Sequence, residues 1–116
     1  MADFTEAIHL APEYAPAYEA MSKFHMAADR PDLVTIIDIG DSIEGRDIWA
    51  MKFSDNPDVE EDEPEFKYIS TMHGDEIVGV KMCMNLIDYL LTNYGSDSQV
   101  DNIVDEVDLW IVPLMN

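Results

Sequence analysis

Three stretches of the chain are short, apolar and rich in β-branched residues. They are LVTIIDIG at 33–40, FKYISTM at 66–72 and DLWIVPLMN at 108–116. Runs of this length and composition predict strands, and the unbroken apolar character of the first predicts a buried one. DIWAMKFSD at 47–55 behaves differently: Ile48, Ala50 and Lys52 alternate with Trp49, Met51 and Phe53. Period two predicts a strand with two unlike faces. The turn-rich DSIEGR segment, with Gly45, joins it to the first strand as a long hairpin.

Helical spacing appears twice. EIVGVKMCMNLIDYLLTNYG places Ile77, Val80, Met84, Ile87 and Leu91 on one face, widened by Cys83 and Leu90. Gly95 stops it. SDSQVDNIVDEV offers Ser and Asp as N-caps for a shorter helix. Upstream, Tyr18, Met21, Phe24, His25 and Ala28 predict a helix from about Ala15 to Asp29, with Pro16 in its first turn. AIHLAPEYAPAYEAM has a tetratricopeptide flavour, but no second copy follows.

The order helix, hairpin, strand, helix, helix, strand predicts an α/β fold with a mixed sheet and flanking helices, including a right-handed crossover. The chain stops at Asn116, directly after a core-grade strand. Such a strand needs flanking elements to cover its faces. The expectation is that residues 1–116 form the N-terminal portion of one longer domain, truncated at Asn116, with a sheet edge open to self-association.

Composition narrows the partners. Six basic residues face 25 acidic ones, a formal net charge of -19. That excludes nucleic acid and anionic membrane surfaces, both of which call for clustered Lys and Arg. It reads first as a strongly solvated surface and, more sharply, as an attraction for cations, metal ions among them, and basic peptides. The acidic run NPDVEEDEPE at 56–65 lacks the Gly and the alternating ligands of an EF-hand loop and reads as a solvated surface loop. No run is long enough for a membrane span, and the N-terminus has no signal-peptide pattern. Cys83 is the only cysteine, so no internal disulfide can form.

The most polar cluster at an element boundary is TMHGDEIVG at 71–79, between the third strand and the long helix. Ligands of open α/β sheets bind at the carboxyl ends of strands. His73 stands at that end and Glu76 in the opening turn of the helix, with Gly74 allowing a sharp bend between them. An imidazole nitrogen and a carboxylate oxygen aimed at one point suit zinc. The spacing alone leaves a second reading open: a capping carboxylate at a helix start and a satisfied polar histidine at a strand end.

Three motifs set this cluster in a family context. Gly40, Ser42, Gly45 and Arg46 form a G-x-S-x-x-G-R segment after the first strand. His73, Gly74, Asp75 and Glu76 form H-G-D-E after the third, and Val112, Pro113 and Asn116 form V-P-x-x-N after the fourth. In this order and on these elements they resemble the zinc metallocarboxypeptidases, in particular the branch containing carboxypeptidases N and E, from about Tyr18 onward.

The resemblance implies hydrolysis of the C-terminal bond of peptide substrates by one zinc ion. His73 and Glu76 would be two of three protein ligands. The third, a histidine, would lie downstream together with the general-base glutamate and the arginines for the oxyanion and the substrate carboxylate. No catalytic residue in that sense is expected within these 116 residues, and the piece alone would be inactive. Arg46 is structural on this reading, Asp75 faces outward or supports a ligand, and His9 and His25 are poor ligand candidates. The family context also implies a secreted or periplasmic setting. Two alternatives remain at this level: an aspartoacylase-like zinc deacylase, which shares HGxE, and a non-catalytic α/β binding module.

Overall fold

The computed structural model describes residues 26–73 and 75–115. The predicted N-terminal helix falls mostly outside them, as do His9 and His25; residues 26–28 are helical. Four strands follow the expected order: β1 (Val34–Asp41), β2 (Asp47–Phe53), β3 (Glu65–Ile69) and β4 (Asp108–Val112). Two helices, α1 (Ile77–Asn93) and α2 (Ser98–Glu106), stand between β3 and β4. The strands form one mixed sheet in the order β1-β2-β4-β3.

The hairpin is the predicted one. β1 and β2 run antiparallel, with Val34 opposite Phe53 and Asp41 opposite Asp47, and the register shifts between Asp38 and Gly40. The G-x-S-x-x-G-R segment builds the connection. The Arg46 N–H donates to Ser42 Oγ at 3.1 Å, and the Ser42 N–H donates to the Arg46 carbonyl at 2.8 Å. Gly45 has φ 74°, a left-handed conformation that a side chain would oppose. Arg46 itself points outward to an exposed ion pair with Glu44 at 2.9 Å. The motif therefore shapes a turn, as its structural reading expects.

β4 pairs antiparallel with β2 and parallel with β3, bringing Ile69 opposite Val112. A parallel pair needs a long connection, and α1 and α2 provide it. The α2 start is capped by Asp97, whose side chain accepts from the Gln99 N–H. Gly95, with φ 88°, lies just past α1.

Among the described residues the helices cover one sheet face. Met51, Phe53, Leu109 and Ile111 meet Val80, Cys83, Met84, Ile87, Leu90, Val100 and Val104 in a single buried cluster. Removing a large member such as Phe53 by substitution to Ala would cost about 3–5 kcal/mol. On the other face Ile37, Ile39, Ile69, Trp110, Val112 and Met115 line a shallow trough of about 310 Å³.

That one-sided cover accounts for two departures from expectation. β1 is buried only at its start: Ile37 is 37 % and Ile39 46 % exposed. It is an edge strand, and its outer half faces the uncovered side. On α1 the buried line is Val80, Cys83, Met84, Ile87 and Leu90, while Ile77 is half-exposed and Leu91 only partly covered. The helix meets the sheet on the side that carries Cys83. The acidic stretch 56–65 is the surface loop expected: seven of its ten residues are exposed, Pro57 is buried, and Glu61 and Glu63 are partly buried.

Candidate metal site at the tip of strand β3

Past Ile69 the chain continues beside β4. The Ser70 N–H donates to the Val112 carbonyl at 3.0 Å, and the Met115 N–H donates to the Ser70 carbonyl at 3.1 Å. The V-P-x-x-N and H-G-D-E segments, 40 or so residues apart in sequence, thus become neighbours at the carboxyl ends of β3 and β4.

Thr71 then turns the chain. It is 4 % exposed and has φ 56°, the one positive φ at a non-glycine among the described residues. A β-branched residue adopts this conformation only when its surroundings hold it there. Its Oγ1 donates to the Glu76 carbonyl at 3.2 Å and lies 3.0 Å from Ser70 Oγ. Gly79 completes the arrangement. A Cβ built there would lie 2.0 Å from Ser70 Oγ, so any side chain would have to displace the Ser70 hydroxyl from Thr71 or push the first turn of α1 off the strand tip. Ser70 and Thr71 tie the loop from inside, and Gly79 sets its distance from the helix.

On this support His73 and Glu76 converge. His73 Nδ1 and Glu76 Oε1 are 2.8 Å apart, and the His73 N–H reaches Glu76 Oε2 at 3.5 Å. Both side chains are open to solvent, at 76 % and 53 % exposure. Their mutual hydrogen bond raises the imidazole pKa above its ordinary value and holds the carboxyl below its own. Glu76 occupies the position before α1 yet makes no side-chain capping bond to it. Its carboxylate bonds His73 instead. Asp75 is exposed, and its carbonyl accepts from the Ile77 N–H at 3.0 Å.

The pair fits the donor chemistry of zinc, a mixed nitrogen and oxygen set on a rigid frame. Two ligands of a tetrahedral zinc ion stand about 3.3 Å apart, so the hydrogen-bonded pair, at 2.8 Å, would have to open to admit the ion. Among the described residues no third histidine, cysteine or carboxylate joins the pair in a cluster; the two carboxylate clusters present lie elsewhere, at Asp38, Asp41 and Asp47 and at Asp55, Glu61 and Glu63. Neither His73 nor Glu76 lines the trough on the uncovered face.

Sequence reasoning found His73 and Glu76 but not Ser70, Thr71 and Gly79, which position them. Gly79 carried a signal: a glycine one turn into an otherwise strong helix asks for a close neighbour. Thr71 carried none, because β-branched residues usually mark extended backbone.

Residues 19–116 match the family described as Zinc carboxypeptidase. Human carboxypeptidase D is 43% identical over 91 residues, covering 78% of this chain and 7% of its own length. A zinc carboxypeptidase of Saccharothrix mutabilis subsp. capreolus is 40% identical over 88 residues, covering 76% of this chain and 20% of its own. The chain thus spans a fifth or less of these two relatives. Among solved structures, thrombin activatable fibrinolysis inhibitor superposes with a TM-score of 0.73 at 20% identity over 85% of this chain and 24% of that one. Carboxypeptidase A from Helicoverpa armigera gives 0.70 at 25% identity over 90% of this chain and 24% of that one. From the match over residues 19–116 and the agreement in fold, this chain belongs to the zinc carboxypeptidase family.

Proposed function

We propose that His73 and Glu76 are two protein ligands of a zinc ion in an enzyme that removes C-terminal residues from peptides. The observation that carries this reading is the 2.8 Å approach of His73 Nδ1 to Glu76 Oε1 at the end of a sheet strand. Family membership supports the metal and the reaction class, and the carboxypeptidase relatives favour a peptidase over a deacylase.

Zinc bound there would act as a Lewis acid on the scissile carbonyl and would acidify a bound water. The work of this chain's own residues is to prepare the ligands. Glu76 accepts the Nδ1 proton of the imidazole in the metal-free state and so fixes the ring. Metal uptake requires that proton to leave, which makes binding stronger as pH rises. The Thr71 hydroxyl holds the Glu76 main chain, and Gly79 keeps the α1 start against Ser70.

Catalysis needs more groups than this pair. Catalytic zinc sites use about three protein ligands, and peptide hydrolysis also needs a general base and an oxyanion donor. The 116 residues alone are accordingly inactive on this reading, as the first portion of a single carboxypeptidase domain. Family resemblance supports a secreted or periplasmic setting. Among the described residues no helix is long and apolar enough to cross a membrane.

Zinc titration against a chelator, with the chain and its His73→Ala and Glu76→Gln variants, tests the ligands. Both variants should bind zinc far more weakly. Mass spectrometry of peptides incubated with the zinc-loaded chain should show no loss of C-terminal residues. Unchanged zinc uptake by His73→Ala would instead support a non-catalytic binding module.

A further inference from the structure

Beneath the strand tip, polar side chains from two elements meet in series. Ser70 and Thr71 follow β3, and Cys83 stands on the buried side of α1. Gly79 and Cys83 are four residues apart on that helix and so share a face. Gly79 brings the face close: a Cβ there would meet Ser70 Oγ at 2.0 Å and Thr71 Oγ1 at 3.4 Å. One turn further on, the Cys83 thiol bonds the same Ser70 hydroxyl. Thr71 and Cys83 are both buried.

Counting hydrogens gives these contacts a direction. Each hydroxyl and each thiol carries one hydrogen. That of Thr71 goes to the Glu76 carbonyl at 3.2 Å, since a carbonyl only accepts. Thr71 Oγ1 lies 3.0 Å from Ser70 Oγ, so the hydrogen between them belongs to Ser70. The Ser70 oxygen is then the acceptor for the Cys83 thiol. Burial pushes the Cys83 thiol pKa up, which keeps that hydrogen in place. The result is a one-way chain from the Cys83 S–H to the Ser70 O–H, to the Thr71 O–H, to the Glu76 carbonyl. Bonds in such a chain polarise and strengthen one another.

The chain has a fixed post and a strained end. Ser70 is held by both of its main-chain groups, to the Val112 carbonyl and from the Met115 N–H. Thr71, at φ 56°, adopts a conformation that only its surroundings maintain. The Ser70 hydroxyl is the group that joins the post and the core helix to that strained residue.

We propose that Ser70 is a positioning residue for the His73–Glu76 pair and that Cys83 orients it: the thiol-to-hydroxyl chain holds the Glu76 main chain where its carboxylate and the His73 ring meet one ion. This rests on the reading of those two residues as zinc ligands. Ser70 and Cys83 themselves act only through Thr71.

Two measurements test it. Cys83 is the sole cysteine, so the chain has a single S–H stretching band in the infrared. In the metal-free chain that band should lie at lower frequency than in Ser70→Ala, which removes the acceptor. Zinc affinity, read by competition with a chelator, should fall about tenfold or more in Ser70→Ala. In Cys83→Ala it should fall about threefold, the lower end of what one hydrogen bond contributes. Cys83→Ser retains a donor and should keep the native affinity whatever its stability in urea. A purely structural role would instead rank the affinities by stability. An S–H band that does not move in Ser70→Ala, native zinc affinity in that variant, or a Cys83→Ser chain as weakened as Cys83→Ala would each overturn the proposal. Zinc uptake that is absent from the native chain, or undiminished in His73→Ala, would overturn the ligand reading and the positioning role with it, while the shifted band would still mark the bonds.

Discussion

The tip of β3 and the loop before it place carboxylates in opposite circumstances. Glu76 is 53 % exposed and satisfied by His73 at 2.8 Å. Glu61 and Glu63 are partly buried and each keeps one oxygen with no partner. The first pair joins nitrogen to oxygen on a rigid turn; the second group is all oxygen on an irregular loop. The contrast teaches that donor type and solvation, rather than acidity, set these carboxylates apart. A net charge of -19 describes the surroundings of both and distinguishes neither.

The strongest way to separate the two regions is to remove one ligand from the first. His73→Ala should lower zinc affinity by at least about a hundredfold, beyond what loss of a supporting group costs a metal site. The unfolding midpoint of the metal-free chain should not move. Competition with a colorimetric zinc chelator measures the first and thermal unfolding the second. Loss of both together would show that His73 holds the fold rather than a metal.

Next in size is the frame of the first site. Gly79→Val forces a branched side chain towards Ser70 Oγ, where even a Cβ would lie at 2.0 Å. Ser70 or the helix start must move, at a cost of about 1–3 kcal/mol in urea unfolding. Zinc affinity should fall with it although no ligand has changed. A Gly79→Val chain with full stability and full zinc affinity would show that the contact with Ser70 does not position the site.

A smaller effect tests the ground beneath the acidic loop. The Tyr94 hydroxyl donates to Asp105 Oδ1 at 2.7 Å, and the Asp55 N–H donates to the Val104 carbonyl. The bond to Asp105, then burial and the neighbouring carboxylates, push the Tyr94 pKa up to about 12. A tyrosine raised in the fold binds its proton more tightly there than in the unfolded chain. Its contribution is therefore complete below pH 10 and is lost as pH rises through about 12. Absorbance titration should show one tyrosine ionising late, and Tyr94→Phe should abolish that step and cost about 1–2 kcal/mol. Least of all should matter at Arg46: its ion pair with Glu44 is exposed, and Arg46→Ala should change stability by about 0.5 kcal/mol or less.

Much of the fold was legible because its signals are local. Period two in DIWAMKFSD, the β-branched LVTII and the long amphipathic run after Glu76 each led to the element observed. His73 and Glu76 were legible because a polar cluster between two apolar elements stands out. What escaped depends on contacts between distant residues. The exposure of Ile37 and Ile39 follows from which sheet face the helices cover, and composition is silent on that. The positive φ of Thr71 is imposed by Ser70, Glu76 and the α1 start. NPDVEEDEPE reads as a surface loop and is one, but it does not record that Asp108, more than 40 residues on, donates its N–H to the Pro64 carbonyl.

The most direct test of the strand-tip site is anomalous diffraction at the zinc edge, from crystals grown with zinc. One anomalous peak should lie within bonding distance, about 2.0–2.2 Å, of a His73 ring nitrogen and a Glu76 carboxylate oxygen. A zinc peak bound elsewhere, with His73 and Glu76 still paired to each other, would contradict it.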